Sequence, residues 1–347
     1  MVRGRADKNL ARFERIALIL SGGAALGAYQ AGACAALEAN GVRPHWLAGT
    51  AIGAVNAAII AGNPPHRRAF RLRQFWGELS RLAGQAGPQT PGTCVRTAWR
   101  RWRVRRTPDR AAVPPPRDAV VSVADLRALI GATVDFDRVN SGALRVVLGA
   151  VNSTTGAETF FDNDRHELGP EHVLAGTPLP GLPPVEIGRQ LYGGGAVTLS
   201  ALDEARPADT LCFVVDGYDP APGGRGGTSR IAREIGAMRR THDLRRMVAL
   251  LGERLPPALR SELDIRRCLA EASEATMTIL HLVHEGNATG LAERMTDFSA
   301  AALMRRWKAG ENDVATSLTH PLWLAPPPRI SGVVVHELRG GVAASPR

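Results

Sequence analysis

Two glycine-rich loops near the N-terminus carry the residue types that could do chemistry. The first is Ser21-Gly22-Gly23-Ala24-Ala25-Leu26-Gly27. It follows an apolar run and opens a helical pattern. Its backbone N–H groups therefore sit at a helix start, where the helix dipole favours negative charge. That suits a phosphate or an oxyanion. The loop lacks the GxGxxG spacing of dinucleotide sites and the Gly-Lys-Ser/Thr end of a P-loop, and on its own a tight turn explains it as well. The second loop is Gly49-Thr50-Ala51-Ile52-Gly53. A GxSxG turn between strand and helix is a nucleophile elbow: flanking glycines let two backbones close up while the central hydroxyl stands exposed. Gly49 and Gly53 are kept here, but the central residue is Ala51, and a methyl group cannot attack a carbonyl. Thr50 is adjacent, with its side chain expected to point away from the apex.

Regular elements must hold these loops. Ile16–Leu20 is a short apolar run that reads as a buried parallel strand, and Ala28–Ala39 follows with a helical pattern ended by Asn40-Gly41. Trp46–Ala48 and Ile52–Ala61 repeat the strand–glycine–helix order, which predicts a layered α/β domain. Further strands are expected over Leu144–Asn152, Glu158–Phe161 and Thr210–Tyr218, and helices over Phe70–Leu82 and Pro170–Ala175. Residues 83–116, rich in Gly, Pro and Arg, read as a surface insertion, and Asp219–Thr228 as a linker. Beyond it, Ile231, Ile235 and Met238 share a helical face, and Met247, Leu250 and Leu251 mark another helical stretch. Met277–Val283 reads as a strand, Phe298–Trp307 as a helix and Gly332–His336 as a late strand.

Composition narrows the classes. Hydrophobic residues are 44% of 347 and charged residues 22%, which excludes wholesale disorder. No apolar run approaches the length of about 18 needed to span a bilayer. Arg3, Arg5 and Arg12 precede Ile16–Leu20 in the manner of a secretion signal. Glu14 and Arg15 abut that run, however, and Ser21-Gly22-Gly23 cuts it short, so a first strand fits better. Cys34, Cys94, Cys212 and Cys268 lie far apart without CxxC spacing; neither a zinc site nor a disulfide framework is expected, which favours a reducing, cytoplasmic setting. The net charge is +10, and Lys8 and Lys308 are the only lysines among 43 basic residues. That bias fits GC-rich coding as well as it fits an anionic partner.

The stretches Ala17–Gly32 (ALILSGGAALGAYQAG) and Ala48–Ala58 (AGTAIGAVNAA) resemble the patatin-like phospholipase family, with a likeness covering roughly residues 12–218. The resemblance implies a three-layer α/β/α domain with a mostly parallel central sheet. It further implies hydrolysis of lipid acyl esters by a Ser–Asp dyad, with no metal or other cofactor, and an oxyanion hole at Gly22, Gly23 and Ala24. Residues 228–347 are similar to the mainly helical C-terminal extension that some bacterial members carry.

The family's third motif, Asp-Gly-Gly or Asp-Gly-Ala, places the base. The matching stretch is Leu191-Tyr192-Gly193-Gly194-Gly195-Ala196, with Gly193 where the aspartate belongs. Leu199 stands where the family often has Asn, and Leu179–Pro184 matches the proline-rich stretch upstream. Ala24 replaces the third of three glycines, at a cost of about 1 kcal/mol if that position needs φ > 0. One substitution would silence such a site, so four departures together point to natural loss of the dyad. Removing the nucleophile of a serine hydrolase costs on the order of 10⁶ in kcat. An intact oxyanion hole leaves roughly 10³–10⁴-fold acceleration over water. The expectation is a catalytically inactive scaffold that binds a lipid or acyl ester in an apolar pocket set by Ala54–Ile60, with a regulatory role. An active acyl hydrolase working through other residues is the alternative.

No replacement dyad is read. His281 and His284, on an expected strand, face opposite sides, and Asp162 and Asp164 suit a turn after Phe160-Phe161. Val95–Arg106 would place Trp99 and Trp102 on one helix face amid Arg100, Arg101, Arg103, Arg105 and Arg106, the composition of a segment at a membrane surface or of a basic loop packed on the domain. Arg230–Arg246 is also basic and reads as a solvated helix face. Nucleic acid is not an expected partner, since zinc spacing, RNP aromatics and a helix-turn-helix signal are all lacking.

Overall fold

The computed structural model describes residues 10–85, 121–177, 179, 182–195, 199–202, 208–217, 230–284, 291–319, 323, 325, 327–339 and 342–343. In chain order, β1 (Arg15–Leu20) leads through a 3-10 turn (Ala24–Leu26) into α1 (Gly27–Ala39), and β2 (Trp46–Thr50) leads into α2 (Ile52–Ala61). Then come α3 (Pro65–Gln85), α4 (Val123–Thr133), α5 (Phe136–Asn140), β3 (Arg145–Val151) and β4 (Glu158–Asp162). They are followed by α6 (Pro170–Ala175), the hairpin of β5 (Val185–Ile187) and β6 (Gln190–Tyr192), a second 3-10 turn (Leu199–Leu202) and β7 (Thr210–Asp216). The remainder holds α7 (Arg230–Gly252), α8 (Pro257–Arg260), α9 (Leu263–Ala270), β8 (Met277–Val283), α10 (Leu291–Thr296), α11 (Ala300–Thr319), β9 (Val333–Arg339) and β10 (Val342–Ala343).

Eight strands form one sheet in the order β10-β9-β8-β7-β1-β2-β3-β4. The neighbours from β9 to β3 pair in parallel, and each edge strand pairs antiparallel. Central strands buried on both faces favour apolar residues at successive positions, which is why β1 and β7 are apolar throughout Ile16–Leu20 and Leu211–Val215. Alternate residues serve alternate faces. Leu18 and Leu20 join a core with α1, α2, α3 and α11, while Ala17 and Ile19 join a second core with Ile231, Ile235 and Met238 of α7. The result is a three-layer α/β/α domain.

Residues beyond 228 are helical over most of their described length, yet they also complete the sheet. β8, β9 and β10 extend it past β7, so the linker read at 219–228 separates two stretches of chain that share one sheet. α11 lies directly on α1. A Cβ on Gly32 would stand 2.0 Å from the Trp307 carbonyl oxygen, and one on Gly310 would stand 2.1 Å from that of Tyr29. That linker, and residues 86–116 of the insertion with Trp99 and Trp102, lie outside the described residues; residues 83–85, read as the start of the insertion, instead complete α3. No described helix is long and apolar enough to cross a membrane.

Candidate functional site

β2 ends at Thr50 and α2 begins at Ile52, so Ala51 alone turns the chain. It does so at φ 54° and ψ −130°, a conformation that L-residues avoid. The flanking glycines make the turn possible. A Cβ on Gly49 would lie 2.5 Å from the Gly53 carbonyl oxygen, and one on Gly53 would lie 2.2 Å from that of Leu20 at the end of β1. The Ala51 carbonyl is pinned by the Ala54 amide and by Thr177 Oγ1, each at 3.0 Å. Ala51 itself is half-buried.

The first loop lies against this apex. A Cβ on Gly22 would come 3.2 Å from the Cβ of Ala51. Gly23 has φ 143° and Ala24 φ 49°, so the position of the missing third glycine does use positive φ, and the strain anticipated for Ala24 is present. Among the described residues, the amides of Gly22, Gly23 and Ala24 donate to no protein acceptor. Three successive N–H groups at a helix start with no described partner suit an oxygen that carries negative charge.

A buried polar network holds the loop from below. Gln30 Nε2 donates to the carbonyl oxygens of Ser21 (2.7 Å) and Val215 (3.3 Å). Gln30 Oε1 accepts from Asn56 Nδ2 at 3.2 Å, and Asn56 Oδ1 accepts from Trp76 Nε1 at 3.1 Å. These residues tie α1, α2 and α3 to the ends of β1 and β7. The sequence reading missed them; their one signal is a lone amide inside each of two otherwise apolar helices.

Ser21 and Asp216 belong to the same network, with Ser21 Oγ donating to Asp216 Oδ1 at 2.7 Å. The pair has the residue types of a Ser–Asp dyad beside the glycine loop. Yet Ser21 is only 5% exposed, and its Oγ already accepts from the Gly217 amide and from Gln30 Nε2. It is a strut. His281 Nε2 is 3.7 Å from Asp216 Oδ2, beyond hydrogen-bond reach, with both residues buried. His284 lies just past β8 and stacks on Tyr29 with centroids 4.7 Å apart. Burial, then Arg306 and Arg294, push its pKa down to about 4. Asp162 pairs with Arg145 at 2.6 Å and accepts the Asp164 amide, the turn role expected of it.

The third motif runs beside β3, with the Gly193 amide bound to the Val151 carbonyl at 3.0 Å and the Val151 amide to that of Gly194 at 2.9 Å. Gly195 is the member pressed on the elbow. A Cβ there would sit 2.0 Å from Thr50 Oγ1 and 3.1 Å from the Ala51 amide nitrogen. Thr50 Oγ1 is thus turned toward this third loop; it is buried and has no partner among the described residues. Gly194 has φ 120° and Gly195 is blocked by Thr50, whereas Gly193 has an ordinary φ and would admit a Cβ only if Ser153 gave way by a few tenths of an ångström. That Cβ would lie 3.2 Å from Ser153 Oγ and 3.4 Å from Pro184 Cβ. Leu199 is a fully buried core residue beneath α7.

Ala54–Ile60, expected to set an acyl pocket, are fully buried in packed core. A cavity lined by Ile16, Cys34, Glu38, Arg68 and Phe213 lies at the far end of β1 from the elbow, so it is not an entry to this site.

A family model described as patatin-like phospholipase matches residues 18–217. A second, described as patatin phospholipase, matches residues 228–329. The crystal structure of VipD from Legionella pneumophila is similar over 90% of this chain and 71% of its own, at 14% sequence identity and a TM-score of 0.36. No curated protein matches.

Proposed function

We propose that this chain, which belongs to the patatin-like phospholipase family and carries its lipid acyl hydrolase scaffold, binds an acyl lipid without hydrolysing it. Ala51 carries this reading. It occupies the strained apex where the fold would present a serine hydroxyl, and its methyl offers no electron pair to a carbonyl carbon. Gly193, where the family's motif places its base, carries no side chain to act as one. The unpaired amides at Gly22, Gly23 and Ala24 keep the capacity to hold a carbonyl oxygen or a fatty-acid carboxylate.

A second reading, hydrolysis through residues outside the motifs, has one observation in its favour, the 2.7 Å contact between Ser21 Oγ and Asp216 Oδ1. The burial of that hydroxyl and its two incoming hydrogen bonds weigh against it.

The test is p-nitrophenyl butyrate hydrolysis by the wild type, Ala51→Ser and Ala51→Ser/Gly193→Asp, beside titration with a fluorescent fatty acid. The wild type should be silent and bind the fatty acid saturably. Ala51→Ser alone should stay near background, because an unassisted hydroxyl is a weak nucleophile. The double variant should gain on the order of 10³-fold or more. Turnover by the wild type, or the absence of saturable binding, would overturn the proposal.

A further inference from the structure

The first half of α7 buries Ile231, Ile235 and Met238 on the sheet, but from residue 239 to 251 no position of the helix is buried. Its outward stripe reads Arg233, Ala237, Arg240, Thr241, Leu244, Met247 and Leu251, all exposed, with exposed Arg254 just beyond. Leu244, Met247 and Leu251 are 59%, 45% and 61% exposed. They fall at i, i+3 and i+7, one continuous ridge. α8 and α9 follow with no buried residue and add exposed Leu259 and Leu263. The α7 stripe has no carboxylate, whereas exposed Glu253, Glu262 and Asp264 accompany α8 and α9 and set the limit of the face. The acids of α7, Glu234 and Asp243, are part-buried, and Asp243 accepts the amides of Gly332 and Val333.

An exposed apolar patch of this kind marks an interaction surface, and three features choose the occupant. The patch is a ridge along one helix, which a lipid headgroup layer accommodates without a matching groove. Arg240 and Arg254 flank it at either end, where long stems reach up to phosphates. A second copy would bring arginine stripe onto arginine stripe on a chain of net charge +10. We propose that this face of α7 docks the protein on an anionic lipid surface. Leu244, Met247 and Leu251 enter the headgroup–acyl boundary, while Arg240 and Arg254 pair with lipid phosphates.

The docking face is remote from the elbow. Arg246 donates to the carbonyls of Glu274 and Arg329, just before β8 and β9, so this half of α7 sits at the N-terminal end of the parallel strands. The elbow follows the C-terminal end of β2. Docking and acyl binding are therefore separable measurements, and this inference stands or falls apart from the acyl-binding proposal.

The experiment is co-sedimentation of the full chain with phosphatidylcholine vesicles, with and without phosphatidylserine. Compared are the wild type, Leu244→Gln/Met247→Gln/Leu251→Gln, and Arg240→Ser/Arg254→Ser. All substituted sites are exposed, and thermal melts confirm folding. The wild type should pellet with phosphatidylserine vesicles and be released at about 0.5 M salt. The triple variant should bind roughly tenfold more weakly or worse. The arginine variant should lose roughly 30-fold, at about 1 kcal/mol per arginine. Fatty-acid binding should be unchanged in both. Failure of the wild type to pellet, or equal pelleting of the triple variant, overturns the proposal. So does a dimer seen by light scattering that the triple variant abolishes, which would assign the face to a second copy.

Discussion

Replacing Ala51 by glycine should make the protein more stable, the reverse of what a glycine does inside a helix. Ala51 is held at φ 54° and ψ −130°. An L-residue on that side of the map pays roughly 1–3 kcal/mol that glycine does not. Glycine gives back about 0.4–1 kcal/mol through the greater freedom of the unfolded chain. The lost methyl is half-buried and contributes little beyond that. The balance is a gain of about 1 kcal/mol. For a chain of 347 residues this moves Tm by only about 1–2 °C, so urea denaturation with an unchanged m-value is the sharper assay. In a working hydrolase the same change would remove the nucleophile. Here fatty-acid binding should persist. If Ala51→Gly were destabilising by more than about 0.5 kcal/mol, the apex would not be storing strain, and the comparison with a nucleophile elbow would lose its energetic basis.

Three further outcomes follow from packing and charge. Gly32→Ala should destabilise by more than about 3 kcal/mol, because its Cβ would meet the Trp307 carbonyl oxygen at 2.0 Å and α11 cannot retreat without leaving α1. Gly131→Ala, in α4 with nothing within 4 Å, should instead stabilise by about 0.5–1 kcal/mol; thermal melts of the two variants test whether the chain beyond 228 is integral to the domain. The His284 pKa is lowered to about 4 from 6.5, so between those values the unfolded chain binds a proton that the native state does not. Its contribution, on the order of 3 kcal/mol, is therefore complete above about pH 6.5 and fades as pH falls toward 4. His284→Phe keeps the stack on Tyr29 and removes the titration, so its stability should fall less than the wild type's over that window in pH-dependent urea melts.

Strands and helices near the elbow were legible because burial on both faces imposes a compositional rule. Nothing else explains Ile16–Leu20 or Thr210–Asp216, and Gly49 and Gly53 are fixed by a close approach that admits no side chain. Other features leave no such trace. The strand character of Met277–Val283 is plain from its residues, but that it pairs with β7 and extends the same sheet is a fact of register between distant segments. α4 and α5 are short and carry mixed faces, so their periodicity is weak. Gln30 and Asn56 are single polar residues whose meaning depends on meeting Ser21 and Trp76 across three helices. The exposure of Leu244, Met247 and Leu251 is equally invisible, since an apolar stripe on a helix ordinarily predicts burial.

The survival of the elbow is weak testimony to function, because the core alone enforces it. Gly53 is clamped against Leu20, Thr177 holds the Ala51 carbonyl, and Gln30 holds Ser21, so the turn stays strained whether or not a serine occupies it. The amides of Gly22, Gly23 and Ala24 are different. Their N–H groups bind nothing in the described fold, as the first amides of an uncapped helix do, and so remain available to an acceptor from outside the core. They are the part of the site that a bound carboxylate would use and that the core would not miss. A fatty acid should therefore bind more tightly than its alcohol of equal chain length, by about tenfold for the charge-assisted hydrogen bonds. Equal affinities would mean that the loop is scaffold only, and that whatever lipid this protein holds is held by its tail.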